Sequence, residues 1–294
     1  MGSGSWSRDS YASYSSATKR GATLDSLGKL TGSGVSSNQD IYKQRQIHAD
    51  LFPKNIMREC CDTEEHPNTI PVILALDVTG SMGSAAVEVA KSLNIIMTKL
   101  YSEITDVEFC IMGIGDLYCD HAPIQMSQFE SDVRIAEHLD KVYFEFGGGA
   151  NNYESYTAAW YMGLYHTKLD CLKRGKKGII ITLGDETLNP YLQKDKIKEF
   201  VGDNPQADID TKSLFGLASQ KFDIYHINVT HRYFSFDDTS KSFKNVIGEN
   251  NYYEANLNNV ADVIAEIIIS ATNNNNDGDN TVVANTTAID GISW

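Results

Sequence analysis

The sequence predicts an α/β fold with a doubly wound, mostly parallel central sheet covered by helices on both faces. Several short runs, such as residues 70–76 and 178–183, are apolar throughout, which is typical of strands buried on both faces. These runs alternate with longer segments in which apolar residues recur every three to four positions, the spacing of amphipathic helices. Alternating strands and helices favour parallel pairing with helical crossovers. The 294 residues are enough to bury a full hydrophobic core.

The elements can be placed in order along the chain. The first strand, 70–76, carries its proline near the start, where a strand tolerates it. A helix follows over about 86–100, with Val89, Leu93 and Ile96 on one face. Further strands are predicted at 107–114, 142–146, 178–183, 223–229 and 252–254. Further helices are predicted at 131–140, 154–168, about 206–221, and 257–271.

The two ends of the chain differ from this pattern. Residues 1–40 are dominated by Ser, Gly and Thr with little apolar periodicity, so we expect an arm that is flexible or ordered by a partner. Residues 41–69 are expected to form a transition segment. The α/β domain is expected over 70–272, and residues 273–294 are expected to form a polar tail.

The chain is acidic, with 39 Asp and Glu against 25 Lys and Arg and a formal net charge of −14 at pH 7. This charge argues against nucleic-acid and anionic-membrane partners, because both require a basic surface. The longest apolar runs are too short to span a bilayer. Five cysteines without C-x-x-C spacing argue against a disulfide framework or a structural zinc site. Without a basic and then apolar leader, we expect a soluble protein of the cytoplasm.

The clearest chemical pattern follows the first predicted strand. Asp77, Thr79 and Ser81 alternate along a short loop, and two glycines let the loop turn tightly. A carboxylate and two hydroxyls at this spacing can face one side of the turn, and such hard oxygen donors suit Mg²⁺, Mn²⁺ or Ca²⁺. The alternative is that Ser81 or Ser84 caps the following helix. The position at the carboxyl end of a buried strand favours a metal site.

Particular residues argue against enzymes that bind phosphate or nucleotides at the same place. A P-loop requires a lysine directly after its second glycine, and Gly83 is not followed by one. A phosphatase of the haloacid dehalogenase type requires a second aspartate where this chain has Thr79. The pair Gly113 and Gly115 lacks the third glycine of a dinucleotide fingerprint. Because no nucleophile with a base and an oxyanion hole is evident, we expect a protein that is not an enzyme.

Residues 73–83, I-L-A-L-D-V-T-G-S-M-G, resemble the start of a von Willebrand factor type A domain. The metal-ion-dependent adhesion site of such domains begins D-x-S-x-S, and Thr79 keeps the hydroxyl of the first serine. The segment I-T-L-G-D-E resembles the loop that supplies a distal aspartate, which maps to Asp185. The segment G-G-G-A-N-N-Y-E-S lies where the middle loop supplies a threonine or an aspartate. Asn151 stands at the position of that aspartate, with Asn152 or Thr157 as alternatives.

This resemblance covers about residues 68–272 and is similar to prokaryotic and phage-encoded members. It implies a metal site of five oxygen donors, of which two are carboxylates and three are neutral: Asp77, Thr79, Ser81, Asn151 and Asp185. Mg²⁺ is the expected ion, with Ca²⁺ or Mn²⁺ as alternatives. In the family, an Asp or Glu of a partner protein completes the coordination of the metal, which implies metal-dependent protein binding.

The resemblance also implies a setting. It suggests an intracellular adaptor, for example beside a MoxR-type AAA+ ATPase, or a component of a phage or conflict system in the host cytoplasm or virion. A structural assembly protein is the alternative, because a faintly basic arm on an acidic body favours self-association. A third possibility is a metal-dependent hydrolase, for which no general base is identified.

Other polar and aromatic residues are given structural interpretations. Asp116, Asp120 and His121 are expected to lie in a solvated loop, and His226 is expected to be a buried core residue. Tyr156 and its aromatic neighbours are expected mostly in the core.

Overall fold

The computed structural model describes residues 4–145, 153–229 and 237–277. Its strands are β1 (Thr23–Leu24), β2 (Leu30–Thr31), β3 (Arg58–Cys60), β4 (Ile70–Asp77), β5 (Val107–Ile114), β6 (Ile124–Met126), β7 (Tyr153–Glu154), β8 (Thr167–Leu169), β9 (Gly178–Gly184), β10 (Thr187–Leu188), β11 (Tyr191–Leu192), β12 (Ile209–Asp210), β13 (Phe222–Val229) and β14 (Tyr252–Ala255). Its helices are α1 (Arg8–Thr18), α2 (Asn38–Ile41), α3 (Gly83–Glu103), α4 (Arg134–Asp140), α5 (Thr157–Tyr165), α6 (Lys194–Phe200), α7 (Thr211–Ala218), α8 (Asp237–Ile247) and α9 (Val260–Asp277).

Six of these strands form the central sheet, in the order β14-β13-β9-β4-β5-β6. The first five run parallel, and β6 lies antiparallel to β5 at the edge. On one face Leu74 packs with apolar residues of α3 and α9, and on the other Ile73 packs with residues of α5 and α7. Both faces are therefore covered, which is why the central strands are apolar throughout. The predicted fold class is confirmed.

Most predicted strands are present with nearly the predicted bounds. The strands predicted at 70–76, 107–114, 178–183, 223–229 and 252–254 correspond to β4, β5, β9, β13 and β14. Asp77, the last residue of β4, pairs with Ile114 of β5, and Leu76 pairs with Leu183 of β9. The loops that follow these three strands therefore meet at one edge of the sheet.

The strand predicted at 142–146 is wrong over residues 142–145, which are irregular. The Gln125 side chain of β6 satisfies the backbone there: its Nε2 donates to the Tyr143 carbonyl and its Oε1 accepts from the Tyr143 N–H, both at 2.8 Å. Val142 and Phe144 are buried in the core without a strand. The apolar pattern thus signalled burial correctly, but a side-chain amide replaces the strand pairing.

The predicted helices differ from the observed helices in length and number. The segment 154–168 contains parts of β7 and β8 around the shorter helix α5, because β7 pairs with β10 and β8 pairs with β3. The helix predicted over about 206–221 is α7, which begins after Asp210, whose carboxylate accepts a hydrogen bond from the Ser213 N–H at 2.9 Å. The predictions at 86–100, 131–140 and 257–271 correspond to α3, α4 and α9. Helices α1, α2, α6 and α8 were not predicted.

Residues 4–40, expected to be flexible or ordered by a partner, pack against α3 of the same chain. Trp6 Nε1 donates to Asn94 Oδ1 at 3.1 Å, and the Tyr11 hydroxyl donates to the Ala90 carbonyl at 3.0 Å. The Tyr11 side chain is only 2% exposed. A few aromatic rings thus bury surface against α3 and order the arm, which its low apolar content did not predict.

The start of this arm is held by a histidine and a serine. The Gly4 carbonyl accepts hydrogen bonds from His66 Nε2 at 2.7 Å and from Ser131 Oγ at 2.6 Å, while Asp106 Oδ1 lies 3.4 Å from His66 Nδ1. Because His66 Nε2 faces a carbonyl oxygen, it carries a proton and does not serve as a base for Ser131. The serine, histidine and aspartate therefore anchor the arm.

The tail boundary predicted between residues 272 and 273 falls inside α9, which continues to Asp277. Residues 278–294 lie outside the described part of the chain. Within the described ranges, none of the helices combines the length and the apolar character needed to cross a lipid bilayer.

Candidate metal site

The site predicted after the first strand lies at the carboxyl edge of β4 and β9. Asp77 ends β4, Thr79 and Ser81 follow in the turn that leads into α3, and Asp185 directly follows β9. The turn forms because Asp77 Oδ1 accepts the Thr79 N–H at 2.9 Å, which bends the backbone away from the sheet. Parallel pairing of β4 with β9 then brings residues from the two loops together.

A continuous run of side-chain contacts joins these four residues. The Thr79 hydroxyl donates to Asp77 Oδ1 at 2.6 Å and lies 3.4 Å from Ser81 Oγ. The Ser81 hydroxyl in turn donates to Asp185 Oδ1 at 3.0 Å. Two carboxylates and two hydroxyls therefore form a chain of contacts in which each lies within hydrogen-bonding distance of the next, and this chain joins Ser81 to Asp185, 104 residues away in sequence.

The helix-cap alternative for the serines is not supported. Helix α3 begins at Gly83 after Met82, and no side chain makes the capping hydrogen bond at this end. The Ser81 hydroxyl donates to Asp185 instead of accepting from the helix backbone. Ser81 therefore belongs to the group of oxygen donors.

Of the predicted middle-loop ligands, only Thr157 lies among the described residues. Asn151 and Asn152 lie outside the described residues. The hydroxyl of Thr157, the third alternative, donates to Asn189 Oδ1 at 2.9 Å at the start of α5. The described structure thus brings together Asp77, Thr79, Ser81 and Asp185, and engages Thr157 elsewhere.

Tyr156 is a residue of this site that the sequence reasoning placed in the core without a role. Its hydroxyl donates to Asp77 Oδ2 at 2.9 Å and accepts the Glu186 N–H at 3.3 Å, which links the loops after β4 and β9. A Cβ at Gly184 would lie 1.8 Å from this hydroxyl, so only glycine leaves room for the tyrosine. The position of Tyr156 just after the predicted middle loop was the available sequence signal.

Burial controls the electrostatics of Asp77. The side chain is fully buried, and this burial raises the pKa of Asp77 to about 7. The hydrogen bond from Thr79 opposes the increase, and the charge of Asp185 adds to it. Among the described residues, no Lys, Arg or His makes an ion pair with Asp77.

A second buried carboxyl group lies close to Asp77. Glu154 of β7 is 4% exposed, and its Oε2 atom has no hydrogen-bond partner within the described ranges. Burial raises the pKa of Glu154, and the charges of Asp77, Asp120 and Asp116 raise it further. No role was predicted for Glu154 from the sequence.

The loop after β5 is a compact turn. The Asp116 N–H donates to Asp120 Oδ2 at 2.7 Å, and burial raises the pKa of Asp120 to about 6. The His121 side chain is 93% exposed, as expected for a solvated loop, whereas Asp116 is buried. His226 is a buried core residue as expected, 2.9 Å from the Thr182 hydroxyl through Nδ1 and stacked on Phe243.

The joined residues offer oxygen donors of the type that divalent cations bind. Across the described ranges, no group of three or more His, Cys, Asp or Glu side chains is arranged to hold a metal ion. The four joined residues provide two carboxylates and two neutral hydroxyls, which are hard donors suited to Mg²⁺, Mn²⁺ or Ca²⁺. A buried Asp77 without a cationic partner among the described residues fits a site that gains a positive charge from a bound ion.

Comparisons with known proteins give structural similarity alone. No family model matches the sequence, and no curated protein matches it. Solved structures with a similar fold include the vWF domain of the type V pili tip protein Mfa5 from Porphyromonas gingivalis, at 12% identity and a TM-score of 0.48 over 72% of this chain and 98% of that one. They also include BatB from Bacteroides thetaiotaomicron, at 13% identity and a TM-score of 0.42 over 69% of this chain and 99% of that one.

A third similar structure is the pilus adhesin SpaC from Lactobacillus rhamnosus GG, at 12% identity and a TM-score of 0.46 over 74% of this chain. The matched part is 31% of SpaC, so the chain spans about a third of the length of that adhesin.

Proposed function

We propose that this chain is a protein-binding module of the von Willebrand factor A type, in which a divalent cation connects it to a carboxylate of a partner protein. The observation that carries the proposal is the run of contacts from Asp77 through Thr79 and Ser81 to Asp185 at the carboxyl edge of the sheet. Ligands of open parallel sheets bind at this edge.

The residues present would have different roles in binding the ion. Asp77 and Asp185 would offset its charge, and Thr79 and Ser81 would add neutral oxygens. The bound ion would supply an electrophilic position for one further oxygen ligand. Tyr156 would keep the Asp77 carboxylate in place through its 2.9 Å hydrogen bond.

Mg²⁺ is the proposed ion because it retains water ligands and needs few carboxylates. The partner is proposed to present an Asp or Glu, and the setting is proposed to be a prokaryotic or phage multiprotein system, with a MoxR-type AAA+ ATPase as one such partner. We propose binding and not catalysis. The assembly alternative is less favoured, because residues 4–40 pack against α3 of the same chain.

Affinity purification with and without EDTA tests the proposal. The full chain is used as bait in the presence of Mg²⁺, together with Asp77→Asn, which keeps the side-chain shape and removes the charge. Asp195→Ala, an exposed acid in the first turn of α6, is the matched control. We expect EDTA and Asp77→Asn to abolish capture and the control to retain it.

A second measurement needs no partner. Titration of the wild-type chain with MnCl₂ in a calorimeter should show one saturable site that Asp77→Asn removes. Capture that is unaffected by EDTA, together with no saturable Mn²⁺ binding, would contradict the proposed function.

A further inference from the structure

A groove walled by tyrosines lies on the same edge of the sheet as the candidate metal site. Its volume is about 230 Å³, and three of its residues are exposed aromatics: Tyr118 at 66%, Tyr153 at 47% and Tyr191 at 46%. We call it the tyrosine groove. Pockets for whole small molecules are typically 300–1,000 Å³, so this volume suits one side chain of a larger partner.

The groove is connected to the metal site through β7. Tyr153 and Ser155 line the groove, and the residue between them is Glu154, the buried acid that interacts with Asp77. The wall is held together because the Leu117 N–H donates to Ser155 Oγ at 3.0 Å. The groove wall therefore contains a buried acid that lies close to the candidate metal site.

The charge around the groove is negative. Its lining among the described residues includes Asp116 and no Lys, Arg or His. Asp120 adds a second acid beside it, since its Oδ2 accepts the Asp116 N–H at 2.7 Å. A neutral or acidic side chain would gain nothing from these carboxylates, whereas a cationic side chain would be attracted to them.

The tyrosine rings of the groove favour arginine over lysine as the cationic side chain. Tyrosine faces attract cations, and the planar guanidinium of arginine stacks on such rings better than the compact ammonium of lysine does. We infer that the tyrosine groove binds an arginine side chain of a partner segment, and that an Asp or Glu of the same segment binds the metal ion. The binding of the Asp or Glu rests on the proposed function, whereas the binding of arginine in the groove can be tested without metal.

The first experiment uses the full chain in EDTA with Nα-acetyl-arginine amide as the probe, followed by NMR of ring-labelled tyrosines. We expect saturable shifts of Tyr118, Tyr153 and Tyr191, and binding at least about fivefold weaker for the neutral isostere Nα-acetyl-citrulline amide. Tyr118→Ala, which removes the most exposed ring, should abolish the shifts at the other two. Tyr253→Ala on the edge strand β14 is the control and should leave them unchanged.

Equal binding of the arginine and citrulline probes, or shifts at none of the three tyrosines, would overturn the groove assignment. The Asp77→Asn pull-down would still test the proposed function independently, since it does not involve the groove.

The second experiment tests whether one peptide can bind the tyrosine groove and the candidate metal site at the same time. Capped peptides with an arginine and an aspartate separated by glycine spacers of increasing length are titrated in Mg²⁺. For at least one spacer, we expect affinity about tenfold or more above that of the matching peptides with citrulline or asparagine, because the second contact becomes intramolecular. If arginine binds in EDTA but no peptide gains affinity in Mg²⁺, the inference that one partner segment binds both sites is wrong, and the assignment of arginine to the groove stands.

Discussion

Replacing Gly184 with alanine should disturb the candidate metal site through Tyr156. The new Cβ would lie 1.8 Å from the tyrosine hydroxyl oxygen and 2.3 Å from ring atom Cζ. Because contacts below 3.0 Å require movement, the hydroxyl end of the ring has to shift by about 1.2 Å, the difference between 3.0 and 1.8 Å.

Tyr156 has little room for that shift. The side chain is fully buried, with its ring centroid 5.1 Å from that of His226 and 5.5 Å from that of Phe243. Moving the ring would break the 2.9 Å hydrogen bond to Asp77 Oδ2. Loss of that bond costs about 1.5–3 kcal/mol and overpacking adds about 1–3 kcal/mol, so we expect the free energy of unfolding to fall by about 3–5 kcal/mol.

Urea unfolding followed by circular dichroism measures this change. Gly216→Ala in α7 is the matched control, because a Cβ there would meet nothing within 4 Å. The control should leave stability unchanged or raise it by up to about 1 kcal/mol, since alanine is the better helix former. The double variant Gly184→Ala/Tyr156→Ala should cost at least about 1–2 kcal/mol less than the sum of its single variants. A loss below about 1 kcal/mol for Gly184→Ala, or additive costs in the double variant, would refute the reasoning.

Three further outcomes follow from the structure. Tyr11→Ala should lower the free energy of unfolding by about 3–5 kcal/mol, because a buried ring is removed; an unchanged urea midpoint would mean that the arm does not contribute to the fold. Burial raises the pKa of Glu108 to about 7 from 4.5, so Glu108 makes the free energy of unfolding fall by up to about 3 kcal/mol as pH rises through this range. Buried Asp77, Asp120 and Glu154 add to the same decrease, so Glu108→Gln should make the decrease between pH 4.5 and 8 in urea unfolding smaller by up to about 3 kcal/mol without removing it. A decrease as large as that of the wild type would show that Glu108 does not contribute. Ser81→Ala removes the hydrogen bond to Asp185 and should weaken calorimetric Mn²⁺ binding about tenfold or more; unchanged affinity would exclude Ser81 from the site.

The elements predicted correctly are those in which the local pattern and the burial agree. Strands β4, β5 and β9 are apolar at nearly every position because both faces of the sheet are covered by helices, so the pattern alone predicted them. The segment 142–145 shows the limit of that pattern. Val142 and Phe144 are buried as predicted, but pairing depends on the partner backbone, and the Gln125 side chain takes that place.

The arm shows a second limit. Composition averages over residues 1–40 and predicts too little apolar area to order the chain. Burial is decided by individual contacts, and Trp6 and Tyr11 find hydrogen-bond acceptors and an apolar surface on α3 that no local pattern could indicate.

The sequence by itself determined the α/β class, the positions of the central strands and the oxygen donors Asp77, Thr79 and Ser81, because strand periodicity and loop chemistry are local properties. Only the tertiary structure decided that Asp185 lies within reach of Ser81, that Tyr156 donates a hydrogen bond to Asp77, and that Glu154 is buried behind the tyrosine groove. These relations depend on which strand ends are neighbours and on how far each group is removed from water, and both are set by the packing of distant segments.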